Sequence, residues 1–127
     1  MPRMPVSSPD APAAVGPYSQ AVASGDHLFL SGQTPIDPTT GSLVEGDVDV
    51  QAQRCFDNLR AVLAAGGLSF DDVVKVNVYL TSMDDFPTMN PVYARQFTEP
   101  FPARTTVAVA ALPRGARIEI ELVARLR

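Results

Sequence analysis

The sequence is poor in the side chains that usually hold metal ions or form nucleophile–base pairs. Its 127 residues include one cysteine, Cys55, and one histidine, His27. A single cysteine cannot form a disulfide within the chain, and these two residues are too few for an ordinary zinc site. A serine hydrolase needs a histidine base, and His27 has no recognisable nucleophile partner. No glycine-rich phosphate or dinucleotide motif is present either. We therefore predict no metal and no cofactor, and chemistry carried by charged side chains and backbone groups.

The sequence also lacks long apolar runs and a net positive charge. No stretch approaches the roughly 20 apolar residues that a membrane span needs, and the first nine residues contain no apolar signal core. Ten basic and fourteen acidic residues give a net charge of −4, which argues against binding to nucleic acid or to an anionic membrane. We expect one cytoplasmic domain over residues 1–127. Within it, the proline-rich residues 1–15 should form an extended, poorly ordered lead-in.

Local patterns in the first half predict a hairpin followed by a helix. Tyr18–Ala23 and His27–Ser31 flank a Ser-Gly-Asp turn, and Gly32 should end the second strand. Apolar residues at three- and four-residue spacing predict a helix from Val50 to Ala65. Asp47 or Asp49 can cap it, and the two glycines that follow Ala65 should stop it.

Local patterns in the second half predict a strand and another helix. Val74–Leu80 alternates strictly between apolar and polar residues, as a strand does. A second helix should start within Ser82–Asp85, and Pro91 would be tolerated only in its first turn. Its inner face would carry Phe86, Met89, Tyr93 and Phe97.

The stretch Pro102–Val123 predicts a second hairpin. Its arms, Arg104–Ala111 and Ile118–Leu122, both alternate, and a Pro-Arg-Gly sequence between them supplies turn residues. Pairing the apolar sets of the two arms would place four polar side chains on one common face. Two interpretations of the arginine stay open: a surface salt bridge worth at most about 1 kcal/mol, or a fork that receives a substrate carboxylate. The four polar residues are Arg104, Thr106, Glu119 and Glu121.

The predicted order β-β-α-β-α-β-β indicates an α+β fold, with one sheet and both helices on one of its faces. The other face would carry Ala108 and Ala110, which are small residues and poor strand formers. A second copy of the chain packed on that face would explain the alanines. We therefore expect a homo-oligomer.

Several short motifs, in their order and spacing from about Gly16 to Ala124, resemble those of the Rid family, also called the YjgF family. The resemblance implies a chorismate-mutase-like fold and a homotrimer with a barrel-like core and clefts between its subunits. The motifs are Gly16-Pro17-Tyr18-Ser19-Gln20-Ala21, Ser31-Gly32-Gln33, Asn77-Val78-Tyr79-Leu80, Met89-Asn90 with Tyr93, Pro102-Ala103-Arg104, and Ile118-Glu119-Ile120-Glu121.

The resemblance also implies an activity, as in the RidA branch of the family. Such a protein hydrolyses reactive enamine and imine acids, of the 2-aminoacrylate and 2-iminopropanoate type, to 2-oxo acids and ammonia. Arg104 would grip the substrate carboxylate, and Glu119 would position or activate the attacking water. Tyr18 and the backbone of Gly32 match cleft-lining positions. Thr106 stands where several members have a cysteine, so no thiol can be required, although a hydroxyl can still hold water or the substrate nitrogen.

Two other functions remain open at this point. One is a regulator that binds a 2-oxo acid without turnover. The other is translation inhibition through RNA cleavage, with which family members have been connected, although the acidic charge counts against RNA. The role of Glu119, as a base or as a group that only orients water, should depend on its pKa, which burial raises and a nearby Arg104 would lower.

Overall fold

A six-stranded mixed sheet with two helices packed on one side makes up the structure, a computed structural model that describes residues 3–127. The strands are β1 (Met4–Val6), β2 (Ala21–Ser24), β3 (His27–Gln33), β4 (Val73–Leu80), β5 (Ala103–Ala108) and β6 (Ile118–Arg125). The helices are α1 (Val48–Ala65) and α2 (Phe86–Gln96). Across the sheet the strands follow the order β1-β2-β3-β6-β4-β5.

Helix α1 begins and ends close to its predicted limits. Of the two candidate caps, Asp47 is the N-cap, and its carboxylate accepts a hydrogen bond from the Val48 amide at 2.8 Å. Gly66 caps the C-terminus, and Gly67 follows with a φ of 76° that suits glycine. The inner face that the periodicity predicts is buried, and the helix is confirmed.

Helix α2 has the predicted inner face but a different position for its proline. It follows a short 3₁₀ turn, Met83–Asp85, that the Ser82 hydroxyl caps by accepting from the Asp84 amide at 3.1 Å. Pro91 is the sixth residue of α2, so its predicted place in the first turn is wrong. Pro91 has no amide N–H, so one hydrogen bond of the helix is missing at this position. The large side chains Met89, Tyr93 and Phe97 are buried as predicted.

Both helices lie on one side of the sheet, called here the helix face. Phe56 of α1 is fully buried there and makes edge-to-face contacts with Tyr93 and Phe97. The strand residues of the core alternate along β4 and β6, as a half-covered sheet requires. They are Val76, Val78, Leu80, Ile118, Ile120 and Leu122.

The predicted C-terminal hairpin does not form. β5 pairs with β4 in parallel, whereas β6 lies on the other side of β4 and pairs antiparallel with both β3 and β4. Alternation identifies the two faces of a strand but not its neighbour. The segment β4-α2-β5 is a crossover unit, in which the helix makes the parallel pairing possible. The two predicted arms are therefore separated by a strand.

This change of neighbour reverses the face on which β5 places its polar side chains. Arg104 pairs with Val76 and Thr106 pairs with Val78, and directly paired residues point to the same side of a sheet. Arg104 and Thr106 therefore lie on the helix face, and the prediction that they share a face with Glu119 is wrong. The opposite side, called the open face below, carries Phe29, Lys75, Asn77, Tyr79, Thr105, Val107, Glu119, Glu121 and Val123.

The two alanines do not lie on the open face either. Ala108 pairs with Leu80 on the helix side, and Ala110 lies beyond the end of β5. The explanation of these alanines by a covering copy is therefore wrong. The open face carries larger apolar groups instead, since Phe29 is 45% and Val107 40% exposed.

Of the predicted lead-in of residues 1–15, the structure describes residues 3–15, which include one strand. Met4–Val6 forms an edge strand that pairs with β2. Pro5 is tolerated in it because the outer edge of such a strand donates no hydrogen bond to a neighbouring strand. The buried side chain of Gln20 accepts from the Ser8 amide at 2.7 Å and donates to the Pro12 carbonyl at 2.8 Å. These bonds hold the extended segment against the sheet.

The α+β class, with two helices on one face of a single sheet, is confirmed. One strand, β1, precedes the predicted order of elements. No helix within residues 3–127 is both long enough and apolar enough to cross a membrane.

Candidate active site

Arg104 is held in place by three side chains of α2. Its Nη1 donates to Asn90 Oδ1 at 2.6 Å. Its Cζ lies 4.5 Å from the ring centroid of Tyr93 and 5.4 Å from that of Phe86, and both rings stabilise a cation at such distances. The contacts fix the plane of the guanidinium group. They leave part of its fork of donors free for a ligand.

The free side of Arg104 faces an open groove of about 500 Å³. Asn90, Tyr93, Ala94, Phe101 and Pro102 line it together with the arginine. Within the described residues, no carboxylate lies within ion-pair distance of Arg104. The surface salt bridge, one of the two interpretations of this arginine, is therefore not formed in the described part of the chain.

Thr106 lies two residues beyond Arg104 on the same side of β5. Its Oγ1 is buried and has no hydrogen-bond partner. A buried hydroxyl without a hydrogen-bond partner is costly, and such groups are rare in native proteins. The residue does not line the groove in front of Arg104.

Glu119 lies on the open face of β6, against the backbone of β3. A Cβ atom placed on Gly32 would overlap the Glu119 carboxylate and lie 3.0 Å from its Cδ. Only glycine therefore allows this approach of strand and side chain. β3 continues through Gly32 to Gln33 rather than ending at Gly32 as predicted, and the continuation carries the glycine past the carboxylate.

A second groove, of about 580 Å³, lies over Glu119 and Gly32. Tyr18, which is 52% exposed, and Arg114 also line it, together with Ser31. The Tyr18 hydroxyl accepts from the Val15 amide at 3.3 Å. The structure thus brings three predicted site residues together: Tyr18, Gly32 and Glu119.

Glu119 sits in an environment that disfavours its charged form. Burial raises its pKa, and the negative charge of Glu121 on the same strand raises it further. Arg104 does not lower it, in contrast to the prediction, because the arginine lies on the other side of the sheet. A carboxyl group with a raised pKa suits proton transfer near neutral pH better than an ordinary glutamate does.

The two key predicted residues are not brought together within one chain. Arg104 lies on the helix side of an edge strand, whereas Glu119 lies on the open face two strands away. Each faces its own groove. The described chain therefore contains two separate grooves, called here the Arg104 groove and the Glu119 groove.

The lone cysteine and histidine lie outside both grooves. Cys55 is fully buried in α1, its Sγ is 4.0 Å from the Ile118 carbonyl oxygen, and burial raises its pKa. His27 begins β3 and contacts the ring of Phe29. Among residues 3–127, no group of three or more His, Cys, Asp or Glu side chains could hold a metal ion.

Several residues around the two grooves stand in the motifs but were given no site role from the sequence. Asn90 and Tyr93 stand three residues apart on α2, one turn after Phe86, and this spacing alone places them on one helix face. Their contact with Arg104 required the parallel pairing of β5. Tyr79 and Glu121 were given no site role either, although alternation alone places Glu121 on the face of Glu119, as predicted.

A sequence model of the endoribonuclease L-PSP family matches residues 8–126, nearly the whole chain. Protein DfrA of Myxococcus xanthus is 52% identical, over 98% of this chain and 96% of its own length. A 2-iminobutanoate/2-iminopropanoate deaminase of Dermatophagoides farinae is 46% identical, over 96% and 95%.

The fold has a close counterpart among solved structures. E. coli TdcF with bound serine superposes with a TM-score of 0.91 at 40% identity, and the match covers 97% of this chain and 98% of that chain. The two-helix arrangement on one sheet is that of the chorismate-mutase-like fold that the motifs imply. The family match, the relatives and the fold agree with the motif pattern, and this chain therefore belongs to the L-PSP family, also known as the Rid or YjgF family.

Proposed function

We propose that this chain is a cytoplasmic deaminase that hydrolyses 2-enamine and 2-imine acids, of the 2-aminoacrylate and 2-iminopropanoate type, to 2-oxo acids and ammonia. The observation that carries the proposal is Arg104, a guanidinium group fixed by α2 in a groove with no carboxylate partner of its own. The name of the Dermatophagoides relative supports the reaction. No cofactor takes part, because an iminium carbon is already electrophilic.

Arg104 binds the substrate carboxylate. A planar guanidinium group can donate two parallel hydrogen bonds to a carboxylate, and the stacked rings of Tyr93 and Phe86 hold it ready for that geometry. Its contact selects acids over imines that lack an acid group. The serine bound to TdcF is an amino acid with such a carboxylate, which fits the same chemistry.

Glu119 orients the attacking water and takes a proton from it. Its raised pKa supports this role, and Gly32 leaves the space in which the carboxyl group lies. Tyr18 forms the wall of the same groove. Thr106 lies on the helix side of β5 with Arg104 and lines neither groove, and its buried, unpaired hydroxyl is suited to hold a buried water.

The active site is formed between copies of the chain in a homotrimer with a barrel-like core. Arg104 of one copy and Glu119 of the next would face one substrate, because neither can reach the other within a chain. The exposed Phe29 and Val107 of the open face support a covering copy. A site of this kind is incomplete in a single subunit.

Two variants test the division of roles. Arg104→Ala should weaken binding of pyruvate and abolish turnover, and Arg104→Lys should restore only part of both, because an ammonium group makes no bidentate pair. Glu119→Gln should leave pyruvate binding nearly intact and lower kcat by about 10²- to 10⁴-fold. The assay couples a dehydratase that releases 2-aminoacrylate to detection of ammonia or pyruvate, beside a direct measurement of pyruvate affinity.

The same experiment separates this function from the two alternatives. A wild-type chain that binds pyruvate but does not speed imine loss above the solvent rate, across several amino-acid-derived imines, would be a 2-oxo acid regulator. Full activity of Arg104→Ala would mean that the site is misplaced. Cleavage of RNA that weakens steeply with added salt would favour the ribonuclease function, whereas imine turnover should vary little with salt.

A further inference from the structure

Two glutamates lie side by side on the open face of β6 but have different surroundings. In the register of β6 and β4, Glu119 lies opposite Tyr79 and Glu121 lies opposite Asn77. Because the two glutamates are two residues apart in a strand, their side chains are neighbours on one face. Like charges at such a distance destabilise each other unless the surroundings favour one of them.

Both donors on β4 serve the same carboxylate. The Tyr79 hydroxyl donates to Glu121 Oε1, and Asn77 Nδ2 donates to the same oxygen at 3.3 Å. Tyr79 thus reaches diagonally past Glu119, the residue opposite to it. No hydrogen bond within residues 3–127 reaches the Glu119 carboxylate, which is half-buried above Gly32.

The remaining neighbours of Glu119 do not remove this difference. Tyr18 and Arg114 line its groove, and the Arg114 guanidinium donates to the Gly41 carbonyl at 2.6 Å. Lys75 of β4 donates to Thr105 at 2.8 Å. Cys55 lies on α1, on the other side of the sheet, and burial, followed by the charge of Glu119, raises the pKa of its thiol. β3 contributes only the uncharged Ser31, Gly32 and Gln33 to this side of the groove.

The Tyr79 phenol keeps its proton near neutral pH and stays a donor. The bond to Glu121 is the largest of the effects that raise the pKa of Tyr79 to about 12. The charge of Glu121 in turn raises the pKa of Glu119, after burial. In a pair whose surroundings differ in this way, hydrogen bonds hold one carboxyl group in place and leave the other free to carry the proton.

We propose that Tyr79 and Asn77 are positioning residues that anchor Glu121 as a fixed negative charge beside Glu119. Glu119 is then the carboxyl group that takes a proton from the attacking water and returns it to the leaving amine. The inference rests on the deaminase function proposed above, and adds to it the three residues that prepare Glu119 for both steps.

The proton balance follows from the chemistry of an iminium ion. Water adds to C2 while the Glu119 carboxylate accepts one of its protons, which gives a neutral carbinolamine and a carboxylic acid. The acid then protonates the amine nitrogen, the C–N bond breaks, and ammonia leaves. The hydroxyl of the former carbinolamine loses its proton as the carbonyl forms, and ammonium carries that proton away. One water is consumed, and Glu119 ends as it began.

The test follows the titration of Glu119 directly, by NMR of protein labelled with ¹³C in the glutamate carboxyl groups and assigned through Glu119→Gln. Glu121→Gln should lower the titration midpoint of Glu119 by about 1 pH unit, because a neighbouring negative charge is removed. Tyr79→Phe and Asn77→Ala should each lower it by a smaller amount, because the Glu121 carboxylate can then turn away. The acid limb of the kcat/KM profile should move to lower pH by the same amounts.

Thr105→Val is the matched control, since it removes a hydrogen bond from the same open face, away from Glu119. It should leave the midpoint unchanged. A midpoint that stays constant in Glu121→Gln and in both β4 variants, in protein that is still folded and active, would overturn this inference alone. Absence of turnover in the wild-type chain would overturn the proposed function instead. A purely structural role of Tyr79 would lower the melting temperature without moving either pH value.

Discussion

The two faces of the sheet differ in what they bury and in what they leave available. On the helix face, the strand side chains of β4 and β6 are buried aliphatics in contact with α1 and α2. On the open face, the alternate positions of the same strands carry Glu119, Glu121, Asn77 and Tyr79, beside the exposed Phe29. One face therefore supplies the stability of the fold, and the other supplies polar chemistry that the chain does not cover.

The largest difference between the faces should be in the free energy of unfolding. Phe56→Ala removes a fully buried ring that contacts three other aromatic rings, and it should lower the free energy of unfolding by about 3–5 kcal/mol. Phe29→Ala, on the open face, should have a clearly smaller effect. Denaturant titrations at one fixed protein concentration provide the comparison, and equal losses would show that the open face is part of the folding core.

A second prediction concerns the close approach of β3 to Glu119. Gly32→Ala introduces a Cβ into the space of the carboxylate, and the displaced carboxyl group should lower kcat by about 10²-fold. Pyruvate binding should change little. Gly25→Ala is the control for the strain of replacing a glycine: its φ is 58° and no atom lies within 4 Å of the added Cβ, so it should lower stability and leave kcat unchanged. Unchanged kcat in Gly32→Ala would separate Glu119 from the chemical step.

A third prediction concerns the covering of the open face. Val107→Lys places a charge among the exposed apolar side chains of that face, and it should raise the dissociation constant of the trimer at least about tenfold. Native mass spectrometry over a dilution series measures the change. Ala64→Lys, on the exposed side of α1, should leave the mass unchanged. A wild-type mass of one chain would contradict the assembly altogether.

The smallest effect should be a pH-dependent gain in stability. The pKa of Glu119 is raised in the folded chain, so folding favours the protonated form, and this contribution is lost as the pH rises through the unfolded and then the folded pKa. Glu119→Gln should therefore stabilise the chain slightly at pH 7, by less than about 1 kcal/mol because the group is half exposed. It should bring no gain at pH 3.5, where both states hold the proton. Thermal melts at the two pH values test this sign.

Local patterns in the sequence were sufficient for both helices, for five of the six strands and for which residues within a strand share a face. The Asp47 cap, the stop at Gly66 and the alternation in β4 all follow from neighbouring residues. The partner of β5 did not follow, because its alternation fits either side of β4 equally well. Nonlocal pairing decides it, and α2 makes the parallel choice possible.

The same nonlocal choice limited the prediction of the site. The site roles of Arg104, Glu119, Tyr18 and Gly32 came from the motifs, but the common face expected for Arg104 and Glu119 came from the wrong hairpin. Because β5 pairs in parallel with β4, the arginine and the glutamate lie on opposite sides of the sheet and face different grooves. The contacts of Asn90 and Tyr93 with Arg104 depend on the same parallel pairing of β5.

The central claim is that each active site combines the Arg104 groove of one copy with the Glu119 groove of another, and complementation tests it most directly. Arg104→Ala and Glu119→Gln, each inactive alone, are unfolded together in equal amounts and refolded as mixed trimers. Random assembly should give about a quarter of the clefts an intact pair, and the mixture should recover about a quarter of wild-type activity. Separately refolded variants, mixed without exchange, should stay inactive. A mixed preparation that forms trimers containing both variants and yet remains inactive would contradict the shared site.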